Sequence, residues 1–122
     1  MALHVKPYVR RGPKQKVVQT DRDAREALLA LEGTTKDDCK RLLGQDVDCD
    51  AALQAFGLLR EALVGEQRVD RALQLTGDRI QRRWPASGPQ RRSGLLMLMA
   101  AYGTARQHTA LPFSRSVLLA LA

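Results

Sequence analysis

The apolar positions of this chain recur three and four residues apart, the repeat of α-helices that each bury one face. The densest stretch is GLLMLMAAYGTA, residues 94–105, where eight consecutive apolar residues from Leu95 to Tyr102 leave no polar face at any helical angle. A helix apolar all round belongs in a core or a membrane. This one is far short of the roughly 20 residues that a bilayer span needs. It predicts a buried central helix over about 94–106.

Four further helices follow from the same spacing. Thr20 is a candidate N-cap for a helix over 21–32, with Asp21 and Asp23 in the first turn, Ala24, Ala27, Leu28 and Leu31 inside, and Gly33 as the stop. Thr35 and Asp38 form a weak capping box for a short helix through Cys39, Leu42 and Leu43 to Gly44. Asp48 can cap a third helix over 49–64 that buries Ala52, Leu53, Phe56, Leu59 and Leu63. A fourth begins at Glu66 and carries the stripe Val69, Leu73, Thr76, Ile80 and Trp84 to a stop at Pro85, with Gly77 as a candidate bend.

Residues 85–94, PASGPQRRSG, read as a flexible loop. Ser114 can cap a last helix over about 115–121. Its VLLALA ending must dock, either closing the core or joining a second subunit as a homodimer through 113–122. Pro7, Gly12 and Pro13 oppose a helix over residues 1–19, which read as an extended arm. The expectation is therefore all-α: an arm over 1–19, then one domain over 20–122, a compact bundle of five to six helices around the central one.

Charge changes this picture from generic to directional. The chain carries 20 Lys and Arg against 13 Asp and Glu, a net +7. Fifteen of the cations are Arg, whose planar fork suits phosphate and carboxylate. The arm holds Lys6, Arg10, Arg11, Lys14 and Lys16 with no acid. Residues 20–50 carry nine acids against five bases, and residues 51–122 carry ten Arg against four acids. An acidic block is flanked by two basic ones.

The fourth helix gives the basic end a shape. At about 100° per residue, with Val69 at zero, Arg68, Arg71, Arg79 and Arg82 fall within an arc of roughly 80° and along about 21 Å of axis. Such a row can meet successive phosphates. The alternative is a solvated face in which Asp78 pairs with Arg82. Arg83, Arg91 and Arg92 extend the basic surface around the 85–94 loop. Trp84 at its base could stack on an unpaired base, although its place in the apolar stripe favours a core anchor.

Other chemistry finds less support. Cys39 and Cys49 have no paired His at metal-ligand spacing, and a four-ligand zinc site would consume every Cys and His in the chain, so no metal is expected. Both cysteines fall on apolar faces and read as buried thiols. The paired acids sit at helix starts, where the dipole accounts for them. No phosphate-binding glycine motif occurs, so neither an enzyme nor a cofactor is expected. Helix two, the GQDVD turn and helix three resemble a helix-turn-helix in outline only, because Asp46, Asp48 and Asp50 at the reading end would repel phosphate.

Residues 1–20 show no apolar signal core, which points to the cytoplasm. No long basic amphipathic surface helix points to a membrane. The reading that follows is a small basic helical protein, regulatory or accessory, that binds the backbone of DNA or RNA with weak sequence preference. The alternative is a protein-interaction module, an adaptor or inhibitor docking on a charged partner, which the acidic 20–50 block would serve.

Overall fold

The computed structural model describes residues 21–31 and 35–109. The arm over 1–19, the Thr20 cap, the Gly33 stop, the helix over 115–121 and the dimer segment 113–122 lie outside the described residues. Among the described residues the chain is entirely helical, with five helices packed compactly: α1 over 21–29, α2 Lys36–Leu43, α3 Cys49–Gly65, α4 Val69–Arg83 and α5 Pro89–Arg106. None is long and apolar enough to cross a membrane.

Local chemistry fixes most of the boundaries. Thr35 and Asp38 close the capping box of α2, each side chain accepting from the other's backbone N–H. Asp48 caps α3 by accepting from the Ala51 N–H at 3.1 Å. Gly44 ends α2 at φ 109°, a left-handed conformation that favours glycine.

The pair α3 and α5 forms the centre, with α4 packed on both and α2 against the start of α3. Of the run predicted as the central helix, Leu95, Met97, Leu98, Ala101, Tyr102 and Ala105 are buried and only Gly103 between Leu95 and Ala105 is exposed. Phe56, Leu59 and Leu63 of α3 and Val69, Leu73 and Ile80 of α4 complete the core, joined by Ala24 and Leu28 of α1. Each large side chain so buried contributes about 1.5–3 kcal/mol. Buried Thr76 satisfies its hydroxyl on the Ala72 carbonyl at 2.7 Å.

Two boundaries correct the sequence reading. The fourth helix starts at Val69, not Glu66, because Glu66 caps the end of α3 through its N–H on the Ala62 carbonyl. The chain then needs an extended turn before it can run back, and Arg68 (φ −91°, ψ 129°) belongs to that turn. The 85–94 segment is not all loop, since α5 begins at Pro89. Proline suits the first helical position, where its missing N–H has no intrahelical partner to lose. Ser93 and Gly94 looked like loop residues but are small because they are buried. The Ser93 hydroxyl accepts from the Asp48 N–H at 2.8 Å. Gly77 does not interrupt α4.

The α3–α4 turn is gripped by α1. Asp21 accepts from the Val69 N–H at 3.0 Å, supplying α4 with the cap that Arg68 does not. One helical turn on, Arg25 donates to the Glu66 carbonyl at 2.7 Å and also to the carbonyls of Leu63 and Gln67. The last turn of α3 has no basic residue of its own. A single side of α1 thus places an acid on one helix start and a base on one helix end, the favourable sense for both dipoles.

Candidate nucleic-acid interface

The arginines predicted as one row divide into two groups. At the start of α4, Arg68 makes a two-point contact with Asp70, Nε to Oδ1 at 3.1 Å and Nη2 to Oδ2 at 3.0 Å. Arg71 is exposed beside it, in a shallow groove that also holds Glu66, Asp70 and Asp78. Positive charge here is locally balanced. Arg79 is partly buried on the flank of α4.

The other group stands where α4 ends and α5 begins. Asp78 is the last acidic residue of the sequence, and it lines a shallow groove with Gln81, Arg82 and Pro85, so the acid-free stretch begins beyond it. Arg82 and Arg83 occupy the last turn of α4, where the carbonyl end of the dipole favours them. After five residues, 84–88, Arg91 and Arg92 stand in the first turn of α5, which has no acid and no side-chain cap. Cations are electrostatically unfavourable at a helix start, so local stability does not account for them. Together with the open N–H groups of that turn, they create a positive field suited to phosphate.

The side chains in this corner are held to different degrees. Arg83 donates twice to the Gln54 side-chain oxygen on α3, at 2.8 and 2.5 Å, and its guanidinium lies 5.5 Å from the centre of the Trp84 ring. Arg91 is partly buried: Nη1 donates to the Pro85 carbonyl at 3.2 Å, and the enclosed Nε has no partner. Arg82 and Arg92 are exposed. Trp84 is an anchor, as its apolar register suggested. It packs partly buried against the core, and its Cζ3 lies 3.0 Å from where a Cβ on Gly94 would stand.

Sequence reading placed Arg82, Arg83, Arg91 and Arg92 in one neighbourhood, although for the last two it expected a loop rather than a helix start. It missed Gln54 as the holder of Arg83 and Arg25 as the clamp on the turn, since both act across more than 25 residues of sequence. Lys6, Arg10, Arg11, Lys14 and Lys16 lie outside the described residues.

Elsewhere, four titratable groups among the described residues are shifted by their surroundings. The Thr35 backbone and hydroxyl hold the exposed Asp38 carboxyl below its usual range. The hydrogen bond to Asp50, at 3.0 Å, raises the exposed Lys36. Burial raises the Cys39 thiol and, with a smaller effect from Asp70, the Tyr102 phenol. Cys39 and Cys49 are both free and buried. Among the described residues no three of His, Cys, Asp and Glu gather as metal ligands would. Comparison with protein-family models, with curated proteins and with solved structures gave no match to this chain.

Proposed function

We propose that this protein binds nucleic acid through the sugar-phosphate backbone, with the α4–α5 corner as its principal contact and little sequence preference. One observation carries the reading: Arg82 and Arg83 in the last turn of α4 and Arg91 and Arg92 in the first turn of α5 flank a five-residue connection, and neither the connection nor either turn contains an acid. Guanidinium forks and open helix N–H groups both take phosphate oxygens. Neither reads a base edge, so affinity and position would come without sequence discrimination. The basic residues of the arm would add to the same electrostatic attraction. A regulatory or accessory role in the cytoplasm, without catalysis, fits this reading.

A second reading has its own support. Asp37, Asp46 and Asp50 are exposed around α2 and the start of α3, although Lys36 pairs with Asp50 and Arg41 with Asp38. An adaptor or inhibitor docking on a charged protein would use such a surface.

Fluorescence polarisation with labelled single- and double-stranded DNA and RNA at low salt separates the two. Under the first reading the wild type binds at least one of these ligands. Replacing Arg82, Arg83 and Arg92 by Glu then abolishes binding with the circular dichroism unchanged, whereas Arg68→Gln with Arg71→Gln leaves most of it. A wild type that ignores all four ligands defeats the proposal in favour of the adaptor.

A further inference from the structure

Two arginines at opposite ends of α4 are held alike by chemically different partners. Arg68 donates through Nε and Nη2 to the carboxylate of Asp70, at 3.1 and 3.0 Å. Arg83 donates through the same two nitrogens to the side-chain oxygen of Gln54, at 2.8 and 2.5 Å. Arginine has only donors, so an amide that faces it must present its oxygen. Asp70 offsets the charge it holds, whereas Gln54 holds a charge and leaves it whole. Trp84 fixes Arg83 from a second side, its ring centre 5.5 Å from the guanidinium and its own position set by packing against the core. Gln54 is exposed on α3 next to buried Ala55, whose Cβ lies 3.4 Å from where a Cβ on Gly94 would stand. The helix α3 thus delivers the amide to the junction of α4 and α5.

We infer that Gln54 is a positioning residue for phosphate: it sets the Arg83 guanidinium in place at full charge before any ligand arrives. The inference rests on the backbone-binding reading of the α4–α5 corner and names a residue of α3 that serves it. Gln54 occupies one edge of the guanidinium, Nε with one Nη2 hydrogen. The end edge, Nη1 with the other Nη2 hydrogen, is a fork of the kind that grips two phosphate oxygens. An exposed arginine ordinarily gives up rotamer freedom when it binds, and here the fold has already taken that freedom. A carboxylate at position 54 would hold Arg83 as firmly and neutralise it, as Asp70 does to Arg68. The neutral amide does the first without the second.

A double-mutant cycle on the full chain tests the assignment, read by fluorescence polarisation with labelled single- and double-stranded DNA and RNA over a salt series. Gln54→Ala frees Arg83 without changing net charge, so it weakens binding by about three- to tenfold and keeps the salt slope. Gln54→Glu holds Arg83 but cancels its charge, so it weakens binding and flattens the slope by about 0.7–0.9. In an Arg83→Gln background, Gln54→Ala costs nothing further. A purely structural role for Gln54 would produce neither the split between slope and affinity nor the dependence on Arg83. Gln54→Ala binding like the wild type, or losing as much without Arg83 as with it, overturns the assignment and leaves the corner standing. A wild type that binds none of the four ligands overturns both.

Discussion

Arg25 holds more of this architecture than its position in sequence suggests. Its guanidinium serves the last carbonyls of α3 while Asp21, one turn earlier, serves the first N–H of α4. Charge-assisted hydrogen bonds of this kind contribute about 1.5–3 kcal/mol when partly shielded from water. Arg25→Met keeps most of the aliphatic stem and removes the donors, so chemical denaturation should show a loss of about 2 kcal/mol. Asp21→Asn retains an acceptor and should lose much less than Asp21→Ala, for which a missing cap typically costs about 1 kcal/mol.

Tyr102 makes a prediction about alkali. Burial raises its phenol above the ordinary value, and Asp70 adds to the rise. A raised folded value means the native state holds its proton more tightly than the unfolded chain does. The associated stability is complete below the unfolded value of about 10 and is lost as pH rises through the folded one. Absorbance at the tyrosinate band should therefore show one tyrosine ionising late and together with unfolding. Tyr102→Phe should remove that late step, and a phenol titrating at its ordinary value would show that it is not enclosed.

At the scale of elements, two helical glycines that look alike in sequence should respond oppositely to alanine. Gly57 faces open space, so Gly57→Ala should stabilise by about 1 kcal/mol through helix propensity. A Cβ at Gly94 would stand 3.0 Å from Trp84 Cζ3, 3.3 Å from Ile80 Cγ2 and 3.4 Å from Ala55 Cβ, inside the α3–α4–α5 junction. Gly94→Ala should destabilise by about 1–2 kcal/mol and shift the emission of the single tryptophan. Equal effects at the two sites would contradict the packing.

The same glycine explains where sequence reading of the elements ran out. Helix interiors were legible because their apolar spacing is local, and the stripe Val69, Leu73 and Ile80 is buried as its period required. The caps at Thr35 and Asp48 were legible for the same reason. The start of α5 was not. Ser93 and Gly94 have the composition of a loop, and only the close approach of α3 and α4 shows why small residues stand there. Pro89 was the available signal, since a proline opening a helix and a proline inside a loop look identical until the following turn is seen to be buried.

At the scale of the whole molecule, the organising feature is separation of charge. Acids cluster toward α1, α2 and the start of α3, whereas no acid follows Asp78. The sequence showed this imbalance but spread the relevant arginines along all of α4. In the fold Arg68 is paired with Asp70 and precedes the helix, Asp78 lines grooves with both Arg71 and Arg82, and the acid-free stretch is the connection from α4 to α5. The site was thus half legible: which residues were cationic was plain, and which of them lay beside carboxylates depended on where α4 begins.

The salt dependence of binding distinguishes phosphate contact at the α4–α5 corner from contact at the start of α4. Each phosphate neutralised on duplex DNA contributes about −0.9 to the slope of log affinity against log salt, and about −0.7 on a single strand. Replacing Arg82, Arg83 and Arg92 by Gln should flatten the slope by roughly 2–3, whereas replacing Arg68 and Arg71 should leave it nearly unchanged. An unaltered slope in the triple variant, or an equal flattening in the α4-start variant, would contradict a phosphate contact centred on the α4–α5 corner.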